Sequence, residues 1–334
     1  MPAPLLGDTS FVDATWIMIV KSILIFVVIL TLVPVVLLAE RKLLGRFQQR
    51  YGPNRVGPYG SMQPLADVGK LLSKQGFRPK GAVPILYEIA PALTVFSAVI
   101  TLAILPFGDV QGGWGLYGID VPIGVLYFFA FSSIAFYGLL LGGWASGSKY
   151  SFLGAMRSAA QLISYEIAMG LSLLGVVMMA GSLSLVDIVK AQGEIWFIVP
   201  QIVGFLIFLV AGFAETNRVP FDLPEADAEL VAGYSTEYGG MRFGSYFFAE
   251  YIEILIISGI ASTMFLGGWM GPGPSWLDPI WMLAKMLFLT FFFVWIRATL
   301  PRFRYDQLMT FGWKILLPLA TLNVLVTAVL VVVT

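Results

Sequence analysis

Eight long apolar runs dominate this 334-residue sequence. A helix needs roughly 20 residues to cross about 30 Å of hydrocarbon. We place the runs near residues 16–39, 86–106, 121–144, 159–180, 195–214, 250–270, 279–298 and 311–332. Hydrophobic residues make up 58% of the chain and charged residues only 12%, a balance that would leave large apolar patches on a soluble domain. The sequence therefore predicts an all-α polytopic membrane protein, with residues 1–334 forming a single membrane domain.

The basic residues predict how the chain is oriented in the membrane. Lys and Arg concentrate in the cytoplasmic loops of membrane proteins. In this sequence they concentrate in the connections 41–85, 145–158, 215–249 and 299–310. With eight spans, we expect both termini on the outer side (periplasmic or extracellular) and these charged loops on the inner side.

The sequence contains no cysteine and no histidine. Iron–sulfur clusters and zinc sites use thiolate or imidazole ligands, and common haem sites use His, Cys or Met. We therefore expect no metal site and no redox centre in this chain.

Two neighbouring segments follow the first apolar run. Segment 41–60 is basic and carries Gly-Pro breaks that favour a compact turn. It is either a positive-inside anchor or a structured surface for a partner or a ligand portal. Segment 61–74 places Asp67 and Lys70 on one helical face and Val68 on the opposite one. This spacing predicts a short interfacial amphipathic helix, with a plain surface helix as the alternative.

Acidic residues concentrate between positions 215 and 253, where eight carboxylates accompany only two arginines. Carboxylates next to hydrocarbon are costly and usually functional. Asp222, Glu225 and Glu229 stand at i, i+3 and i+7, so a helix beginning near Asp222 would align them in one stripe suited to proton sharing. A solvated acidic loop is the alternative.

Glu166 is a carboxylate inside the fourth apolar run. An intramembrane carboxylate either functions in proton transfer or needs a structural partner. Lys285, inside the seventh run, is the candidate for a structural ion pair with it.

Four long segments carry a family resemblance: AERKLLGRFQQRYGPNRVGPYGSMQPLADVGKLLSK, YSFLGAMRSAAQLISYE, ETNRVPFDLPEADAELVAGYSTEY and PRFRYDQLMTFGWKILLP. They resemble the signature segments of the quinone-site membrane subunit of proton-pumping NADH:quinone oxidoreductase (respiratory complex I). This is the H subunit family of bacteria and the NADH dehydrogenase subunit 1 family of mitochondria. The resemblance extends from the first apolar run to the last.

The resemblance implies a bundle of about eight tilted transmembrane helices. In that family the inner loops contact the quinone-binding and iron–sulfur subunits of a hydrophilic arm, and small and antiporter-like membrane subunits lie alongside. Quinone is the substrate, whereas FMN and the iron–sulfur clusters belong to partner subunits. The chain would form the quinone tunnel with that arm and couple quinone reduction to proton translocation through a chain of carboxylates.

Matched onto this sequence, the resemblance implies three groups of functional residues and no catalytic residue. The quinone tunnel and its portal would use Arg41, Arg46, Arg50 and Asp67, with Ala66 and Val68 beside them. The proton pathway would use Glu166, Glu215, Asp222, Glu225, Asp227, Glu229, Glu237 and Glu250. The interface with the partner arm would use Arg297, Arg302, Arg304 and Asp306.

The sequence departs from the family pattern at two places. Gln75-Gly76 follows Lys74 where relatives often carry Glu followed by Asp or Pro, and Asp227 replaces a common Glu. Two other functions stay open at this point. Relatives of this subunit also occur in hydrogenases and ferredoxin-fed complexes, and a stand-alone proton or sodium transporter would also use buried carboxylates. We favour a bacterial plasma membrane over the inner membrane of an organelle.

Overall fold

The computed structural model describes residues 15–110, 114–224 and 227–333. In chain order the elements are α1 (Thr15–Phe47), α2 (Gln63–Ser73), α3 (Pro84–Leu102), β1 (Asp109–Val110), β2 (Trp114–Gly115), α4 (Gly124–Ala145), α5 (Lys149–Ala180), α6 (Leu185–Ala191), α7 (Ile202–Glu215), α8 (Asp227–Leu230), α9 (Met241–Phe265), α10 (Asp278–Thr299), α11 (Tyr305–Phe311) and α12 (Leu317–Val333). A π-helical turn at Gly312–Leu316 joins α11 to α12. The two-residue strands β1 and β2 pair antiparallel, with Asp109 opposite Gly115.

Seven helical stretches among the described residues are long and apolar enough to cross a membrane. They are Ile19–Phe47, Pro84–Leu102, Gly124–Ala145, Lys149–Ala180, Met241–Phe265, Ser275–Thr299 and Tyr305–Val333. The predicted fold class, an all-α polytopic membrane protein, is confirmed.

The fifth apolar run, predicted to span near 195–214, forms the shorter helix α7. Its 14 residues rise only about 21 Å at 1.5 Å per residue. The preceding residues turn instead, because buried partners take their N–H groups. Phe197 N donates to Gln192 Oε1 at 3.2 Å, and Ile198 N donates to the carbonyl of Phe265 at 2.8 Å. The start of this run therefore packs against the end of α9.

Helix α9 is the central helix of the bundle. Every residue from Ile254 to Phe265 is buried. Two of its buried hydroxyl groups are satisfied within the helix, since Ser262 Oγ donates to the carbonyl of Ser258 at 2.7 Å and Thr263 Oγ1 donates to that of Gly259 at 2.9 Å. Helices α1 and α12, in contrast, expose rows of Val, Ile and Leu. The buried helix is thus surrounded by helices whose outer faces suit lipid.

Two glycines permit close packing, one between two helices and one between a helix and the acidic connection. A Cβ on Gly138 of α4 would lie 2.4 Å from Thr94 Cγ2 of α3. A Cβ on Gly154 of α5 would lie 2.7 Å from the backbone N of Tyr234 and 2.8 Å from the carbonyl of Pro224. Small residues let helices approach closely, so Gly154 lets the acidic connection lie directly on α5.

The connections that carry most of the charge contact one another at one end of the bundle. Val83 N donates to the carbonyl of Ala145 at 2.9 Å, and Phe303 N donates to that of Pro220 at 3.1 Å. Tyr87 Oη donates to the carbonyl of Glu237 at 2.6 Å. We call this end the loop face.

The helix predicted to begin near Asp222 is not formed there. The described residues of 216–224 form turns, and α8 begins only at position 227. Pro224 lacks an N–H donor and disfavours helical backbone at the residue before it. Glu225 lies outside the described residues. Asp222 and Glu229 therefore do not share one continuous helical face.

Candidate functional site

A cavity of about 250 Å³ lies between α1, α2 and α9 at the loop face. We call it the portal cavity. The helix α2, at the position of the predicted amphipathic helix, provides one wall. The lining residues are mostly apolar: Val33, Pro34, Leu37, Arg41, Pro64, Asp67, Val68, Lys70, Leu71, Phe243, Gly244, Phe247, Phe248 and Tyr251. Such walls suit an apolar ligand whose polar end meets the few charged groups.

An ion pair forms the polar part of the portal cavity. Arg41 Nη1 donates to Asp67 Oδ2 at 2.5 Å, and Gln63 Nε2 donates to Asp67 Oδ1 at 3.2 Å. Lys70 Nζ lies 3.8 Å from the same carboxylate. The Asp67 side chain is only 17% exposed. Two hydrogen-bond donors and a nearby ammonium group therefore hold the one carboxylate in this wall.

The other predicted tunnel residues lie around this cavity in different places. Val68 lines it, whereas Ala66, two positions earlier on α2, is exposed and is not among the lining residues. Arg50 lines a second cavity of about 480 Å³, together with Arg41, Leu44, Tyr51, Gly52 and Pro53. Arg46 is exposed, with its guanidinium 5.8 Å from the centre of the Tyr51 ring.

A buried charge network lies beside the portal cavity. Glu40 of α1 accepts hydrogen bonds from Arg218 Nη1 at 2.8 Å and from Tyr251 Oη at 2.6 Å, and Arg297 donates to it as well. Arg218 also forms an ion pair with Glu250. Burial disfavours the Arg218 charge, but the Glu250 and Glu40 carboxylates outweigh burial and raise its pKa. Tyr251 lines the portal cavity, so it connects the cavity to the network.

Sequence reasoning missed the roles of Glu40 and Arg218. Both lie within the four motifs that carry the family resemblance. Their burial could not be predicted from the sequence, because each lies near other charged residues, a pattern typical of an exposed loop. Arg297, expected at the partner-arm interface, also pairs with Glu40, and 37% of its side chain is exposed. Glu250, expected in the proton pathway, belongs to this network.

Glu166 and Lys285 do not pair with each other. Glu166 Oε1 accepts a hydrogen bond from Ser133 Oγ at 2.6 Å. Lys285 Nζ donates to three backbone carbonyls, those of Leu266, Gly268 and Met270, at 2.6–2.8 Å. The alternative of a structural Glu166–Lys285 ion pair is wrong, because backbone carbonyls beyond the end of α9 take all three protons of the lysine.

The remaining predicted carboxylates are spread over the loop face and the interior. Glu215 ends α7, and its Oε2 is buried without a hydrogen-bond partner among the described residues. Glu229 accepts a hydrogen bond from Arg157 Nη1 at 2.5 Å. That hydrogen bond lowers the pKa of Glu229 below its ordinary value. Glu237 is half-buried next to Tyr87, and Asp222 lies in a turn.

The charges after α10 lie on the loop face. Arg304 Nε donates to Asp306 Oδ1 at 3.2 Å, and both side chains are well exposed. Arg302 has two buried guanidinium nitrogens without hydrogen-bond partners among the described residues. No group of three or more Asp or Glu residues placed to hold a metal ion occurs in the described part of the chain.

Together these features define a multi-pass helical membrane protein with an apolar cavity at one rim and a buried network of carboxylates and arginines beside it. A sequence model of the NADH dehydrogenase family matches residues 20–328. The chain is 56% identical over 315 residues to NADH-quinone oxidoreductase H subunit 1 of Geobacter metallireducens, covering 92% of this chain and 94% of that protein. It is 56% identical over 312 residues to H subunit 2 of the same enzyme in Geobacter sulfurreducens, again covering 92% and 94%. The H subunit of Protochlamydia amoebophila is 51% identical over 293 residues, which cover 86% of this chain and 90% of that protein.

The chain belongs to the NADH dehydrogenase family, as an H subunit of NADH-quinone oxidoreductase. The family membership predicted from the four motifs is confirmed. The protein is therefore a membrane subunit of an enzyme complex, complex I, and has partner subunits within it.

Proposed function

We propose that this subunit forms the membrane portal through which quinone reaches the reaction site, together with the hydrophilic arm. The observation that carries the proposal is the portal cavity, which has apolar walls from α1, α2 and α9 and the Arg41–Asp67 pair at its rim. An isoprenoid tail would lie against Phe243, Phe247 and Phe248, while the quinone headgroup passes the ion pair.

The same cavity supports a role in coupling. Tyr251 contacts both the cavity and Glu40, and Glu40 is joined through Arg218 to Glu250. A change of charge on the quinone near Asp67 would alter the electrostatic potential at this network, where a low dielectric strengthens the effect. Quinone reduction would thereby shift protons along the buried carboxylates and drive proton translocation.

We further propose that the loop face binds the quinone-binding and iron–sulfur subunits, and that it lies on the inner side of a bacterial plasma membrane. Both termini would then be on the outer side if α7 crosses as an eighth, shorter span. The exposed Arg304–Asp306 pair is available for such an interface. FMN and the iron–sulfur clusters would belong to the partners. The three relatives described above are named as NADH-quinone oxidoreductase subunits, so we favour that enzyme over a hydrogenase, a ferredoxin-fed complex or a stand-alone transporter.

The portal is tested with Val68→Phe, which places a larger ring in the cavity wall. A small steric difference in an apolar pocket is typically worth about 1–3 kcal/mol, or roughly 10- to 200-fold in kcat/KM. We expect this loss for a long-tailed quinone and a much smaller one for a short-tailed analogue. Leu72→Phe, an exposed change on the same helix outside the lining, is the matched control.

Ala66→Phe sharpens the test. Both positions were expected beside the portal, but only Val68 lines the cavity. We therefore expect Ala66→Phe to slow long-tailed quinones less than Val68→Phe does. Equal slowing of long and short quinones by Val68→Phe would contradict a portal at this place.

A further inference from the structure

Glu253 is a carboxylate of α9 that neither the family resemblance nor the network above assigns to a role. It lies one helical turn beyond Glu250, among residues that are otherwise buried. In the described part of the chain, no hydrogen bond or ion pair to its carboxylate is found. A carboxylate held inside a membrane protein without a partner is costly, so such residues are usually functional.

Glu253 lines two internal cavities, one on each side of it. The first measures about 30 Å³ and also contains Glu215, together with the small polar residues Ser97, Thr101 and Ser132. The second measures about 20 Å³ and contains Glu250, Asn217 and Tyr246. Glu253 therefore lines both cavities, and each cavity contains one further carboxylate, Glu215 in the first and Glu250 in the second.

Both cavities have the size to hold water, and two glutamate side chains line each of them. A site for one water needs roughly 10–15 Å³ on this measure and two to four polar partners. The first cavity is lined by the carboxylate side chains of Glu215 and Glu253 and by the hydroxyl-bearing residues Ser97, Thr101 and Ser132. The second offers the amide of Asn217 and the carboxylates of Glu250 and Glu253. One ordered water in each cavity would bridge groups that do not touch directly.

We propose that Glu253 is a proton relay between Glu250 and Glu215, with one water on each side. This inference rests on the proposed coupling function. When Glu250 carries a proton, it gives that proton to the water of the second cavity, which passes one of its own to the Glu253 carboxylate. Glu253 then protonates the water of the first cavity as that water gives a proton to Glu215. The net change is one proton moved from Glu250 to Glu215, and Glu253 and both waters return to their starting states.

The test is Glu253→Gln in the complete complex reconstituted into vesicles. Gln keeps the shape and polarity of Glu but cannot take up and release a proton. We expect the rate of proton pumping to fall about tenfold or more, since positioned proton-transfer groups typically contribute about 100-fold or more. NADH oxidation with an artificial acceptor should stay unchanged, which shows that electron input into the complex is intact. Glu194→Gln, an isosteric change at an exposed position between α6 and α7, is the matched control.

An infrared difference spectrum separates a relay from a merely structural carboxylate. Quinone reduction should change a carboxyl band that disappears in Glu253→Gln and shifts in Glu253→Asp. Pumping within about twofold of the unmodified complex, with the carboxyl band retained in Glu253→Gln, would overturn the proposal.

A second variant tests the water without altering any carboxylate. Ala135 of α4 is buried and lines the first cavity, so Ala135→Val would fill the space next to Glu253. We expect slower pumping and a larger solvent isotope effect, and unchanged pumping would contradict the relay through this cavity. Normal pumping in Glu253→Gln and Ala135→Val would contradict the relay. If Val68→Phe still slows long-tailed quinones more than short-tailed ones, the quinone portal would stand. If Val68→Phe slows long and short quinones equally while Glu253→Gln impairs pumping, only the portal would be contradicted.

Discussion

Loss of the Arg218 guanidinium should strongly destabilise this subunit. Arg218 is 6% exposed and contacts Glu40, which is 4% exposed, and Glu250. Its guanidinium also lies 4.5 Å from the centre of the Tyr251 ring. Removing one partner of a buried ion pair typically costs about 3–5 kcal/mol, because the remaining charge stays buried. Since Glu40 keeps Arg297, we expect Arg218→Met to cost about 3 kcal/mol, the lower end of that range.

Arg242→Met is the matched control, because it removes the same cation from an exposed pair. Arg242 donates to both oxygens of Glu88 at 2.8 and 2.6 Å, but 30% of the Arg242 side chain and 47% of the Glu88 side chain are exposed. Exposed pairs contribute about 0–1 kcal/mol. The two substitutions thus differ in burial rather than in chemistry.

The assay is the rate of heat inactivation of the purified complex at one fixed temperature. If the network breaks before the rate-limiting step, about 3 kcal/mol corresponds to about a 150-fold faster loss of activity, against at most about fivefold for Arg242→Met. Arg218→Lys should lie between, since lysine keeps the charge and loses the planar fork. Arg218→Met combined with Glu250→Gln should recover part of the loss, because one buried charge is removed with its partner. Equal inactivation rates for Arg218→Met and Arg242→Met would refute the reasoning.

Two further predictions concern the loop face and the opposite end of the bundle. Glu229→Gln should lower quinone reduction and proton pumping together, and unchanged turnover with an unchanged ratio of protons to electrons would remove the acidic connection from the mechanism. Because the hydrogen bond from Arg157 lowers the pKa of Glu229 below 4.5, the stabilising contribution of this pair is complete at pH 7. It is lost as the pH falls through that lowered pKa, so variant and unmodified complex should inactivate at the same rate in sufficiently strong acid. Lys285→Met should speed heat inactivation, because three carbonyls within 266–270 lose their hydrogen-bond donor. Each buried group left unsatisfied typically costs about 1–3 kcal/mol. Lys190→Met, at an exposed position, is the control, and equal inactivation rates for the two variants would contradict a structural role of Lys285.

The sequence predicted the membrane class and most spans because hydrophobic length is a local property that each run carries by itself. The amphipathic helix α2 was predictable for the same reason, since its two faces alternate within 11 residues. Local signals failed where tertiary contacts decided the backbone. The side chain of Gln192 and the end of α9 hold the start of the fifth run in turns. In the acidic connection, Pro224 disfavours helical backbone at the residue before it, so the regular spacing of the carboxylates alone did not predict the backbone after Asp222 correctly.

The charge network could not be predicted from spacing. Arg218 lies 178 positions from Glu40, and Arg297 lies 257 positions from it. Charged residues next to other charged residues in a sequence suggest a solvated loop, and only the packing of α1, α9 and α10 takes these side chains out of water. The pairing of Lys285 with backbone carbonyls was equally hidden, because carbonyl groups beyond a helix end leave no trace in residue identity.

The position of α9 explains how a cavity at the rim could act on carboxylates deeper in the bundle. Residues three and four apart on a helix share a face, so Phe247, Glu250 and Tyr251 lie close along α9, and Glu253 follows one turn after Glu250. Phe247 and Tyr251 line the portal cavity, whereas Glu250 and Glu253 line the internal cavity of about 20 Å³. The next 12 residues, Ile254 to Phe265, are all buried, and a close-packed interior resists displacement of such a helix. We therefore infer that α9 holds its groups at fixed separations, so that a charge change in the portal reaches the carboxylates through electrostatics and proton transfer rather than through movement of the helix.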